Sequence, residues 1–457
     1  MKYLIKNGVL VSGMDMVNSD ILIDDGIIKA VGEDLDEDDT EVIDAEGCYV
    51  FPGFIDAHTH LDMESAAGMT ADNFYSGTRA ALAGGTTTII DFATQDRGSR
   101  LQKGLEKWCD KAKGRSACDY GFHMAITEWT DDMPEQMAEM CRRGVTSFKV
   151  YLAYDHLRLT SDEIRKVLEV AKDLGAVVSA HCENGDQVNE GIRKQKTSGH
   201  LGPSAHPLSR PNYIEAEAIE TFLSLAEEVG TSVYVVHLST KEGLQVIRDA
   251  RARGQNVWAE TCPQYLIFND KVYERPGFEG AKYVCSPPIR SNEDREALRE
   301  AVKSDEIQVI ATDHCSFRFK GQKDIGRMDF SAIPNGLPGI EDRPSLIYTL
   351  SDGACEMSPM QICRILSENP AKIFGMYPRK GSLEIGSDAD LVIWNPLKQK
   401  KISAENQIQN VDYNPYEGMI VLGTPEMVIL RGLIVVENGK VIERCCGEYV
   451  HRRGFSV

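Results

Sequence analysis

Residues 147–154 read SFKVYLAY. Val150, Leu152 and the aromatic residues suit a buried strand. Lys149 does not, because an amine taken into a core must lose its proton or find a partner. Taken alone, Lys149 reads as a strand-end lysine whose amine reaches back to water. Its neighbours along the chain change that reading. VFPGFIDAHTH (50–60), TTTIIDFAT (86–94) and YGFHMAIT (120–127) precede it as strand-like runs. AVVSAHCEN (176–184), SVYVVHLS (232–239), NVWAETCP (256–263) and QVIATDH (308–314) follow it. Amphipathic segments such as TSDEIRKVLEVAKDLG (160–175) and IEAEAIETFLSLAEEVG (214–230) separate the runs. Eight strand-plus-helix units predict a parallel (β/α)8 barrel of the TIM type.

The ends of the chain follow a different pattern. LIKNGVL (4–10), ILIDDGIIKAVG (21–32) and EVIDAEGCYV (41–50) are short β-like runs broken by Asn-Gly and Asp-Gly, which are hairpin signals. DADLVIWNP (388–396) and MVILRGLIVVENGKVIE (427–443) repeat the style. The expected organisation is a small β-sandwich built from residues 1–52 and 381–457, with the catalytic barrel over 53–380.

Composition narrows the partners. The chain has 457 residues, 42% hydrophobic and 26% charged, with a formal net charge of −20. That balance argues for a globular protein and against nucleic acid or an anionic membrane as partner. No apolar run approaches the roughly 20 residues of a membrane helix. Twelve cysteines without a CxxC or a disulfide-like rhythm read as reduced thiols, so a cytoplasmic location is expected.

Chemistry gathers at the strand ends. The first run closes on His58-Thr59-His60, the fourth carries Lys149, the fifth closes on His181, the sixth on His237 and the eighth on Asp313. In a barrel these ends share one mouth. The period of two in His58-x-His60 places both imidazoles on one side of a strand. Individually, His181 and His237 read as core histidines and Asp313 as a helix cap. Together they exceed what one tetrahedral zinc needs and suit two metals with a bridge. Lys149 then acquires a purpose: a neutral amine takes up carbon dioxide as a carbamate, a two-oxygen anion able to link two cations.

Further blocks carry a family resemblance. They are GFIDAHTHLD (53–62), GGTTTIIDFA (84–93), YVCSPPIR (283–290), ATDHC (311–315), IPNGLPGIEDR (333–343) and NPAKIFGMYPRKGSLEIGSDADLVIW (369–394). With SFKVYLAY, SAHCEN and VVHLST, the chain resembles the cyclic amidohydrolases nearly end to end, most closely the dihydropyrimidinase and D-hydantoinase branch. The resemblance implies two zinc ions per subunit, with manganese or cobalt also acceptable to such ligands. It puts His58, His60 and Asp313 on one ion and His181 and His237 on the other. By the same resemblance, the carbamate of Lys149 (an N6-carboxylysine) and a hydroxide would bridge both. It implies that Asp313 is general base and acid, and that Tyr154 polarises the substrate carbonyl. It further implies that Ser286 and Asn335 hold a cyclic ureide through main-chain groups, that the product is an N-carbamoyl amino acid, and that the assembly is a homotetramer.

Two alternatives stand beside this reading. Dihydroorotases carry HxHxR, whereas Asp62 occupies that position here; an allantoinase activity stays open. A non-enzymatic dihydropyrimidinase-related adaptor lacks metal ligands that this chain keeps. The substrate loops depart from the hydantoinase pattern: Glu64, Ser65 and Arg158 stand where apolar residues are frequent. Glu64 and Arg158 are expected to pair with each other, to reach water, or to meet a polar substrate group. Arg158 is further expected to salt-bridge a carboxylate or take a polar ring substituent.

Overall fold

The computed structural model describes residues 2–36, 38–442 and 445–454 of the chain. All eight strand-like runs form strands: β1 (Phe54–Thr59), β2 (Thr86–Thr94), β3 (Asp119–Ala125), β4 (Ser147–Tyr151), β5 (Val177–His181), β6 (Val233–Val235), β7 (Val257–Thr261) and β8 (Val309–Ile310). They pair in chain order, all parallel. A bridge between Thr59 and His314, with the His60 N–H donating to the His314 carbonyl at 2.8 Å, closes the ring. The strands are buried on both faces, as expected when helices cover a parallel sheet.

The separating segments fold as read. Ser161–Asp173 is a helix whose start is fixed by a Thr160–Glu163 capping box. Asn212–Val229 ends at Gly230, which turns left-handed at φ 70°. The barrel floor is plugged by Ala371, Ile373 and Phe374, which pack with Ile55, Ile90 and Val309.

Both termini build the second unit. Lys2–Lys6, Asp20–Asp24, Ile27–Gly32 and Glu41–Asp44 make a four-stranded sheet. Val9–Val11, Met16–Asn18 and Tyr49–Pro52 join four C-terminal strands in a seven-stranded sheet, where Leu391–Lys401 runs antiparallel to Tyr49–Pro52. One core that includes Ile5, Ile21, Val50, Leu391 and Ile429 is shared by the two sheets.

Asp25-Gly26 and Asn438-Gly439 turn hairpins as expected. Asn7-Gly8 does not. Lys2–Lys6 pairs with Asp20–Asp24, and Val9–Val11 pairs in the other sheet, so this dipeptide is a crossover. The physical reason is packing: a side chain at Gly8 would meet Val50 Cγ2 at 2.7 Å, so glycine serves close approach here.

The C-terminal segment leaves the sheets and returns to the barrel. Tyr449 bridges Tyr120, and Arg452, wholly buried, donates to Ser147 Oγ at 2.9 Å and to the Phe122 carbonyl. Among the described residues no helix is long and apolar enough to cross a membrane, and all twelve cysteines are free thiols.

Candidate active site

The strand ends bring the expected residues together. Asp313 Oδ1 lies 3.2 Å from both His58 Nε2 and His60 Nε2, and these three groups could hold a metal ion. The amine of Lys149 sits 3.2 Å from the same His58 Nε2. Across the mouth, His181 Nδ1 faces His237 Nε2 at 2.9 Å. The two histidine groups adjoin, since the His58 and His237 rings are 5.6 Å apart.

Electrostatics suits cation binding. Burial, with Lys149 and neighbouring imidazoles, holds His58 and His237 well below the ordinary histidine range, so both rings are neutral and offer lone pairs. Burial also draws the Lys149 amine down to about 8, against the opposing pull of Asp313 and Glu260. A partly neutral amine beside carboxylate and imidazole is the form that can add carbon dioxide.

Four residues that the sequence reading passed over, Glu260, Tyr234, Glu183 and Arg210, complete the site. Glu260 Oε1 lies 2.7 Å from His58 Nδ1, and its other oxygen accepts the Tyr234 hydroxyl at 2.8 Å. Burial raises the Glu260 carboxyl to about 8, while Tyr234 and the His237 N–H favour its anion. In its ionised form, which burial works against, it accepts a hydrogen bond from the His58 Nδ1–H and leaves the Nε2 lone pair aimed at a carboxylate oxygen. Two such electron-rich atoms at 3.2 Å repel unless a proton or a metal ion lies between them, and His60 Nε2 converges on the same carboxylate oxygen. The donor set therefore fits a metal. Glu183 acts likewise on His181 Nε2 at 2.9 Å and is itself anchored by Arg210 at 2.6 Å. Burial works against the Glu183 anion, but Arg210 and His181 prevail and hold its carboxyl at about 2. Both glutamates carry a sequence signal, a charge inside an apolar strand run, which names no partner.

Backbone strain collects here. Tyr154, His237 and Asp313 take positive φ of 67°, 39° and 52°. Non-glycine residues so held cost about 1–3 kcal/mol each and persist where surrounding structure over-determines them. Tyr154 stands beside His181, with ring centroids 5.1 Å apart, and the Arg210 guanidinium lies over its ring at 6.0 Å. Burial raises its hydroxyl to about 12, with Arg210 pulling the other way, so it remains a proton donor at neutral pH.

Ser286 and Asn335 lie on two adjoining loops, joined by the Gly336 N–H donating to the Val284 carbonyl at 3.0 Å. Among the described residues, the main-chain groups of Ser286 and Asn335 have no hydrogen-bond partner. Polar backbone left unpaired beside a site is available to a ligand.

Residues 49–442 match the family model described as the amidohydrolase family. The chain belongs to the amidohydrolase family. Among its relatives is the D-hydantoinase of Geobacillus stearothermophilus, 46% identical over 100% of this chain and 98% of that one. The D-hydantoinase of Ralstonia pickettii is 41% identical over the full length of both. The solved dihydropyrimidinase from Brevibacillus agri NCHU1002 superimposes with a TM-score of 0.98 at 42% identity, covering both chains completely. These full-length matches place the amidohydrolase on the branch of hydantoinases and dihydropyrimidinases.

The charged loop residues of this amidohydrolase turn aside from one another. The Arg158 guanidinium pairs with Asp155 at 3.0 Å and Asp186 at 2.8 Å. Glu64, exposed, meets Lys107 at 3.3 Å. Arg158 does bridge carboxylates, and they are the chain's own.

Proposed function

We propose that this amidohydrolase opens the ring of hydantoins or dihydropyrimidines at the cyclic amide bond, giving N-carbamoyl amino acids. It is a hydrolase of cyclic amides. The observation that carries the reading is the meeting of His58, His60 and Asp313, with Lys149 against His58 and the His181–His237 pair beside them.

His58, His60 and Asp313 would hold one divalent ion, His181 and His237 a second, and a carbamate on Lys149 would join them; zinc suits the histidine-rich set. Bound ions would lower the pKa of water enough to supply hydroxide at neutral pH. The chain's own groups do the rest. Main-chain groups of Ser286 and Asn335 hold the ureide and present its carbonyl carbon. Tyr154 donates its hydroxyl hydrogen bond to the carbonyl oxygen as negative charge develops there. Asp313 takes the proton of the nucleophile and delivers it to the leaving ring nitrogen, base first and acid second. Arg210 and Glu183 hold His181 in orientation, and Glu260 holds His58. The expected assembly is a homotetramer, and the expected location the cytoplasm.

A substrate panel tests the reading. Purified protein should release N-carbamoyl products from hydantoin and dihydrouracil faster than it opens allantoin. Preference for allantoin would move the chain to the allantoinases, and no turnover with metal bound would favour the adaptor. Comparing 5-phenylhydantoin with hydantoins bearing acidic side chains reports whether Arg158 reaches the substrate.

The orienting glutamates give a second test. Glu260→Gln is expected to weaken metal affinity by roughly 10–100-fold, the usual cost of losing the partner of a ligating histidine. Competition with a chelator measures it. Unchanged affinity would reduce Glu260 to a packing residue.

A further inference from the structure

Lys323 is among the most completely buried charged-type side chains in the protein, with no exposed surface, and nothing in the chemistry above uses it. Its amine donates to two main-chain carbonyls, Val284 at 2.9 Å and Pro334 at 3.0 Å. These carbonyls belong to different loops. Val284 precedes Ser286 by two residues, and Pro334 immediately precedes Asn335. The amine therefore spans the gap between the two segments that carry the unpaired main-chain groups of Ser286 and Asn335.

The first loop is tied down elsewhere by single contacts. His206 Nε2 donates to the Cys285 carbonyl at 2.7 Å, and the Tyr265 hydroxyl donates to the Pro287 carbonyl at 2.7 Å. Each fixes that loop to the barrel without reaching the second. The Gly336 N–H does cross, at 3.0 Å, but it shares its acceptor, the Val284 carbonyl, with Lys323. Among the described residues, Lys323 is the side chain that bonds both loops at once.

We propose that Lys323 is a positioning residue that sets the spacing between the Ser286 and Asn335 loops, and so governs how tightly the cyclic ureide is held. The inference rests on the reading that these two loops grip the substrate. Hydrogen-bond stoichiometry supports it: a neutral amine has two N–H groups and meets two carbonyls. Burial draws the amine down to about 7, which makes that neutral form accessible in ordinary buffers. Lys323 contacts neither the metal-ligand set nor Tyr154 through any hydrogen bond, so its effect should fall on binding and leave the chemical step.

The experiment is steady-state kinetics on full-length Lys323→Met and Lys323→Gln with hydantoin and dihydrouracil, alongside metal analysis. Methionine keeps the bulk of the side chain and removes both donors; glutamine keeps an N–H pair on a shorter arm. Lys323→Met should raise KM roughly tenfold or more, with kcat within about threefold of the unmutated enzyme, the pattern of lost uniform binding. Metal content should be unchanged, and Lys323→Gln should recover part of the lost affinity. If Lys323→Met does not fold, the same KM rise at preserved kcat in Lys323→Gln carries the test. KM unmoved in a folded variant, or kcat and metal falling while KM holds, would overturn the proposal and leave the substrate reading intact. Failure of both variants to fold would assign Lys323 to the core and overturn it as well. An unmutated protein that opens neither ring would overturn the substrate reading, and this inference with it.

Discussion

Lys149→Ala is expected to lose bound metal and activity together. Lys149 is buried in the middle of β4, its amine 3.2 Å from His58 Nε2 and 4.1 Å above the Phe92 ring. An ammonium there would repel cations, whereas a carbamate would bind them. Removing the side chain deletes the proposed link and leaves the two histidine groups without a shared anion. The metal loss should exceed the roughly 10–100-fold weakening that follows loss of an outer partner alone. Activity should fall below about a thousandth, because removing even one stabiliser of transition-state charge costs roughly 10²–10³. Elemental analysis, with kcat/KM on hydantoin, reads both quantities. Full metal content in the variant would take Lys149 out of the bridge. Intact-protein mass under non-acidic conditions should show one added carbon dioxide on the unmutated chain and none on Lys149→Ala.

Tyr154→Phe is expected to lower kcat/KM by on the order of 10² to 10³ while metal content holds. The variant keeps the ring that packs beside His181 and deletes only the hydroxyl. That hydroxyl is held protonated, up at about 12, and a cationic guanidinium stands beside it, so it is a ready donor to a developing oxyanion. The effect should fall on kcat, because the bond strengthens as charge appears. A loss below about threefold, far short of an oxyanion donor's usual share, would make Tyr154 a packing residue.

The two experiments separate two kinds of contact. Lys149 works through what it would bind, so its loss should be visible in metal analysis without any substrate. Tyr154 would work through the reacting oxygen, so its loss should be invisible there.

Much of this was legible along the chain. A strand shows itself in the alternation and length of apolar residues, and a parallel barrel follows when such runs alternate with helix-length amphipathic segments. Because each strand delivers its last residues to a common mouth, His58, His60, Lys149, His181, His237 and Asp313 could be assigned to one site without coordinates. These are local properties, set by a period of two and a shared direction. The same local logic misread Asn7-Gly8, where a strong hairpin signal was overridden by the pairing of its two flanking strands in separate sheets.

Tertiary structure decided the partners. Glu260 meets His58 across 202 positions of sequence, and Asp56 accepts the Thr312 hydroxyl across 256. Such contacts exist only once the barrel closes, and nothing in either segment specifies the other. Arg158 is the same lesson in reverse. Its charge, standing where apolar residues are frequent, suggested a polar substrate, yet the folded loop turns it onto Asp155 and Asp186. The sequence by itself determined which chemical groups reach the mouth, because strand direction and side-chain alternation are local. Only the closed fold decided which neighbour orients each group and which loops Lys323 ties, because those distances depend on the packing of segments far apart in the chain.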